Sequence, residues 1–87
     1  LNLSFFFILA PNSVENILLV KATKTSLSFK WNYPNGLYDL FRVVCKEANS
    51  TNSSLSNSFL ISKSLNLATC FDLQPLKLYE VTISTIR

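Results

Sequence analysis

The sequence predicts an all-β fold: short strands arranged as two antiparallel layers packed face to face. Two observations carry that expectation. From Pro11 onward, apolar residues recur with a period of two rather than 3.6, and no segment sustains a helical stripe. Turn signals then separate the apolar runs at the short, regular spacing of a β-sandwich.

Each element has its own signal. Leu1 to Ala10 is an apolar block, half the length needed to span a bilayer. With no basic n-region it is not a complete signal peptide. Residues 1–12 therefore stand apart as the tail of a signal sequence, the end of a preceding element, or extra sequence from an imperfect gene model. Ile17, Leu19 and Ala22 alternate with Leu18, Val20 and Lys21, and after the break at Lys24-Thr25-Ser26, Leu27, Phe29 and Trp31 alternate with Ser28 and Lys30. Pro34-Asn35-Gly36 is a turn, because Pro fixes one φ and Asn-Gly tolerates a positive one. Phe41, Val43 and Cys45 share the inward face of the next strand. A Ser/Asn-rich stretch follows, then Phe59-Leu60-Ile61, a strand within Leu65 to Phe71, a turn at Gln74-Pro75, and an alternating strand with Tyr79, Val81 and Ile83 inward. Leu65 and Leu67 fall on the opposite parity from Ala68 and Cys70. A bulge near Leu67 is the expected remedy, since otherwise both leucines face solvent.

Composition narrows the function. Eighty-seven residues make one domain at most, and the apolar share of 48% with 15% charged excludes a disordered tail or a charged coiled coil. A single Gly excludes the common phosphate-cradling loops, and the absence of His removes imidazole catalysis and nearly all mixed-ligand zinc sites. The net charge of +3 is dispersed, whereas a nucleic-acid groove needs a concentrated basic stripe. Glu15, Asp39, Glu47, Asp72 and Glu80 are scattered and flank no activated nucleophile, so neither catalysis nor a cofactor or metal is expected. Cys45 and Cys70 form one disulfide, remain two buried thiols, or include a reactive thiol; residue types alone leave these open. Candidate N-glycosylation sequons at Asn2, Asn49 and Asn52 favour a secretory-pathway protein.

With those residues in place, the pattern resembles the fibronectin type III module, an immunoglobulin-like antiparallel sandwich. The stretch Asn16 to Trp31, with Thr25-Ser26-Leu27 leading into an inward Trp31, looks like that family's first two strands. Phe41-Arg42-Val43 stands where the family usually has Tyr-x-Val. Most specific is Leu73-Gln74-Pro75-Leu76-Lys77-Leu78-Tyr79-Glu80-Val81, which matches the Leu-x-Pro-x-x-x-Tyr-x-Val signature. The resemblance implies a structural core of Trp31, Leu73, Pro75 and Tyr79, with the Tyr79 hydroxyl reaching back to an upstream backbone group. It also places Cys45 and Cys70 in opposite sheets, facing inward. A bridge there would contribute about 3.5 kcal/mol by the chain-entropy model. The sheets would have to pinch locally, from about 10 Å apart to Cα atoms within about 7 Å.

Against the family pattern, residues 13–87 form a module cut short after its sixth strand, since a complete one runs to about 100 residues. The last strand is missing, so the sixth is expected to be an unpaired edge. Independent stability then depends on the N-terminal block covering the gap, which is not the expected arrangement. The resemblance implies an extracellular interaction or spacer module of a cell-surface receptor or adhesion protein, with no catalysis. Its partners would be a protein ligand or neighbouring modules, not nucleic acid, and it would meet a membrane only through its parent chain. No Arg-Gly-Asp tripeptide is present. Binding would fall to the Asn32 to Tyr38 loop or to an exposed sheet face. Tyr38 to Cys45 is similar to modules in receptor-type tyrosine phosphatase ectodomains, which gives an alternative parent; a non-functional gene-model fragment is the other alternative.

Overall fold

The computed structural model describes residues 3–48 and 56–87. Among them there are seven strands and no helix: β1 (Ser4–Phe7), β2 (Leu18–Ala22), β3 (Leu27–Lys30), β4 (Leu40–Glu47), β5 (Ser56–Ser62), β6 (Leu67–Cys70) and β7 (Leu78–Ile86). They form a four-stranded sheet in the order β1-β7-β4-β5 and a three-stranded sheet in the order β2-β3-β6. Asn2, Asn49 and Asn52 lie outside the described residues, so the structure says nothing of these sequons.

The alternation read from the sequence is what closes the two layers. Phe41, Val43 and Cys45 from β4 and Tyr79, Val81 and Ile83 from β7 meet Leu27 and Phe29 from β3 and Ala68 and Cys70 from β6, all buried. The β4–β7 ladder is the spine of the larger sheet, running unbroken from Leu40↔Ile86 to Glu47↔Tyr79. Burying a large aliphatic or aromatic side chain contributes about 1.5–3 kcal/mol, so this shared face is the main source of cohesion.

Three expectations need correction. First, β7 is not an unpaired edge. The N-terminal block forms β1 and runs parallel to β7, pairing Ser4↔Leu78, Phe5↔Tyr79, Phe6↔Glu80 and Phe7↔Val81. The Ile8 N–H donates to the Val81 carbonyl at 2.9 Å. Beyond it the chain reverses, and residues 12–14 cover the rest of the same edge in the antiparallel sense: Val14 N–H donates to Ile83 O at 3.0 Å and Thr85 N–H to Asn12 O at 2.9 Å. An open row of backbone donors and acceptors is a template for pairing with another chain, and β1 is the apolar segment at hand to cover it.

Second, no bulge rescues Leu67. β6 pairs with β3 in continuous register from Leu27↔Cys70 to Lys30↔Leu67. Ala68 and Cys70 take the interior parity, so Leu67 faces out and is 54% exposed, as is Leu65. The register shift falls instead in β2, between Leu19 and Lys21, leaving Leu18, Leu19 and Val20 exposed. Third, Pro75 is not part of the core. It is exposed, at the start of a turn whose next residue, Leu76, has φ 65°. Proline presets the φ of the first turn position, and its contribution is to that turn.

Candidate interaction surfaces

The scaffold residues occupy connected positions. Trp31 is 1% exposed and stacks edge-on to Phe41, ring centroids 5.2 Å apart at 74°. Its Nε1–H finds no acceptor among the described residues, so the indole acts there as bulk that both layers pack on. Leu73 is buried, and its N–H donates to Thr25 O at 2.8 Å, tying the corner before β7 to the turn before β3. Tyr79 is buried, and its hydroxyl accepts the Gln74 N–H at 2.8 Å. Cys45 on β4 and Cys70 on β6 join the two sheets as a disulfide with a Cα–Cα distance of 6.4 Å, well inside the usual spacing of stacked sheets.

The Asn32 to Tyr38 loop leaves β3 beside Trp31, and its root is fixed twice: Trp31 N–H donates to Asn66 O at 3.3 Å, and Asn66 Nδ2 donates to Trp31 O at 2.8 Å. Asn32 N–H donates to Glu15 O at 3.3 Å, drawing the Ser13–Glu15 segment alongside. Tyr33 hydroxyl donates to Ser64 O at 2.7 Å while the residue stays 51% exposed. Gly36 completes the turn with φ +99°, a conformation that side chains rarely adopt.

Two clefts result. One, about 450 Å³, is lined by Ser13, Glu15, Asn32, Tyr33 and Asn35. The other, about 390 Å³, is lined by Phe7, Leu9, Asn16 and Ile17, with Val14 and Glu15 common to both. A polar and an apolar depression thus flank one carboxylate, next to an aromatic ring whose tip is pinned. Such a ring loses little freedom on binding, which is why tyrosines recur as anchors in protein interfaces. The Asn32 to Tyr38 loop is identifiable from its turn residues. The Ser13–Glu15 half of the surface is not, because it arrives through long-range pairing with β7.

The structure gathers no reactive constellation from the scattered carboxylates. Glu47 Oε1 faces Lys77 Nζ at 3.6 Å, a partly exposed pair. Among the described residues no polar or charged residue is buried, and no three potential metal-ligating His, Cys, Asp or Glu residues cluster.

Two sheets in this order, bent at a buried tyrosine, define an immunoglobulin-like sandwich. The family model described as the fibronectin type III domain matches residues 11–87, and the chain belongs to that family. No curated protein matches the chain by sequence. Among solved structures, the chain is similar to the fn3 domain of human collagen alpha-1(XX) chain, with 24% identity over 86% of this chain and 70% of that one and a TM-score of 0.71. It is also similar to the FN1–FN3 domains of chicken CNTN1, with 11% identity over 85% of this chain and 26% of that one and a TM-score of 0.74. A computationally redesigned β-sandwich protein shares 22% identity over 85% of this chain and 77% of that one, at a TM-score of 0.71. At these identities the likeness is one of fold. Fibronectin type III domains are generally non-catalytic modules that mediate protein contacts, commonly outside cells and in tandem.

Proposed function

We propose that this chain is an extracellular interaction and spacer module of a cell-surface receptor or adhesion protein, with no catalysis of its own. The observation that carries this reading is the fully buried pair Cys45–Cys70 bridging the two sheets, because such bridges persist in oxidising compartments and are rare in the cytosol. Sequons at Asn49 and Asn52 support it. They lie in sequence between β4 and β5. Tyr33 is the anchor we assign to the contact.

The test is secretion from eukaryotic cells followed by thiol alkylation in denaturant and mass analysis with and without reduction. The expected product takes up no alkylating agent until it is reduced, and loses mass on enzymatic removal of N-glycans. Two alkylated cysteines in the unreduced, denatured protein would overturn the reading. A second reading, an ectodomain repeat of a receptor-type tyrosine phosphatase, rests on the Tyr38 to Cys45 stretch. It requires a transmembrane helix and a phosphatase signature in the parent gene.

A further inference from the structure

The asparagines of the domain are held in very different ways. Asn57 Nδ2 donates to Phe71 O at 2.7 Å and Asn66 Nδ2 to Trp31 O at 2.8 Å, and each is followed by a residue inside a strand, Ser58 in β5 and Leu67 in β6. After Asn12, the Ser13 N–H donates to Ala10 O at 3.1 Å. Asn16 and Asn32 precede Ile17 and Tyr33, whose bulky side chains flank the next peptide nitrogen. Asn35 differs on every count. It is exposed, and its side-chain amide makes no hydrogen bond among the described residues. The N–H that follows donates to no backbone oxygen among them either. That N–H belongs to Gly36, the only glycine of the chain, and the position a Cβ would take there has no heavy atom within 4 Å. Asn35 Cγ and the Gly36 nitrogen are one bond short of a succinimide ring, and nothing crowds that bond.

From this placement we infer that Asn35 is a modification site: it converts, with no enzyme, to a mixture of isoaspartate and aspartate through a succinimide closed on the Gly36 nitrogen. The Gly36 N–H gives its proton to hydroxide, and the nitrogen's electron pair forms a bond to Asn35 Cγ. The Cγ–Nδ2 bond then breaks, and Nδ2 leaves as ammonia with a proton taken from water. Water next adds to one of the two ring carbonyl carbons and breaks its bond to the Gly36 nitrogen, which takes back a proton. Opening at Cγ leaves aspartate. Opening at the main-chain carbonyl of Asn35 leaves isoaspartate, in which the main chain runs through Cγ. Water is the only co-reactant, and nothing is oxidised. Either product adds one negative charge to the loop. The cleft lined by Ser13, Glu15, Asn32, Tyr33 and Asn35 has one carboxylate and no cationic side chain on its walls, so conversion gives it a second carboxylate beside the pinned Tyr33 ring. The change stays in the loop, because the root is tied by the Trp31–Asn66, Asn32–Glu15 and Tyr33–Ser64 hydrogen bonds. One consequence rests on the reading of this loop as the protein contact: an aged chain favours a more basic partner than a fresh one.

Ageing the whole chain tests this. Fresh protein is held in mildly alkaline buffer, and its peptides are mapped by mass over time. The peptide containing Asn35 should gain the mass of an amide-to-acid conversion before those containing Asn57 or Asn66. An isoaspartyl methyltransferase should label the same peptide. Unfolded in urea with reductant, the chain should convert at Asn35 no more than severalfold faster than the native chain, because the native loop leaves the ring free to close. Asn35→Gln should remove both the mass gain and the label. The aged chain should keep the melting temperature of the fresh one. An Asn35 that stays intact in the native chain but converts in the unfolded chain would overturn the proposal, since the fold would then shield the site. So would aspartate without isoaspartate, the product of direct hydrolysis, or a label that survives Asn35→Gln. A melting temperature that falls in step with conversion would overturn the claim that the change stays in the loop. No ligand enters these measurements, so their failure is distinct from failure of the loop as a contact surface.

Discussion

β1 and β6 are both four-residue edge strands, yet they are held in opposite ways. β1 keeps its place on the four-stranded sheet by inserting alternate aromatic rings beneath the opposite layer, and nothing covalent secures it there. β6, on the three-stranded sheet, brings only Ala68 and Cys70 to the interior and turns Leu67 outward. It is secured by the Cys45–Cys70 bridge, by the Ser28 Oγ and Thr69 Oγ1 hydrogen bond at 2.8 Å, and by Asn57 Nδ2 donating to Phe71 O at 2.7 Å. A period-two pattern thus stabilises a strand only where a second layer stands opposite the apolar parity. Where it does not, cross-links take over.

The largest effect should come from removing the rings of β1. Phe5→Asp combined with Phe7→Asp takes two partly buried rings from the cluster around Phe29 and leaves charges in their place. At about 2 kcal/mol for each ring, the loss is about 4 kcal/mol before any cost of the charges. Small domains hold only about 5–15 kcal/mol in total. The double variant, or a chain lacking residues 1–10, is expected to lose most of its cooperative melt at room temperature. If residues 13–87 melt at the same temperature as the whole chain, β1 is an ornament on the β7 edge and the contrast drawn above is wrong.

Next in size is the bridge that holds β6. Cys45→Ala with Cys70→Ala should lower stability by about 3.5 kcal/mol, the entropy of closing that loop in the unfolded chain. In urea titrations the midpoint should fall, and the same fall should follow from adding reductant to the unaltered chain. A midpoint indifferent to reductant would show that hydrogen bonds and packing alone hold β6.

Between these two edges lies Tyr79, paired with Phe5 across the β1–β7 ladder and capped by the Gln74 N–H. Tyr79→Phe keeps the ring beneath β1 and strips only the acceptor from a part-buried donor. The expected cost is about 1–2 kcal/mol, and a domain of this size shifts its melting temperature by roughly 4–8 °C per kcal/mol. A melt unchanged by the substitution would mean that water replaces the hydroxyl at Gln74.

The two edges also mark how far the sequence could be read. Trp31, Leu73, Tyr79 and the strand faces around Phe41 and Val81 were legible because alternation and turn residues are local signals, and the corner signature spans only Leu73 to Val81. β1 was not. Phe5 and Phe7 share a parity with Leu3, but Phe6 and Ile8 fill out the other side, so no alternation stands out. The partner strand, moreover, lies at the opposite end of the chain. Leu67 misled for a related reason: an apolar residue suggests burial, whereas its parity was already decided by Cys70 and Ala68. Likewise, nothing local announces that Ser13–Glu15 will line a cleft with Tyr33.

The smallest predicted effect gives the finest test of the comparison. Leu67→Lys exchanges an apolar side chain for a charged one on β6, at a position paired with Lys30. If burial against a facing layer is what gives an alternating residue its worth, Leu67 has little to lose. It is 54% exposed, and surface substitutions of this kind usually stay within about 0.5 kcal/mol. The like charge opposite, at Lys30, adds a small cost that should fade as salt is raised. The expected outcome in thermal melts is a shift of no more than a few degrees, smaller at high ionic strength. A loss above about 1 kcal/mol that persists in high salt would mean that the outer face of the three-stranded sheet is itself a packing surface. The lesson drawn from β1 and β6 would then fail at its weaker edge.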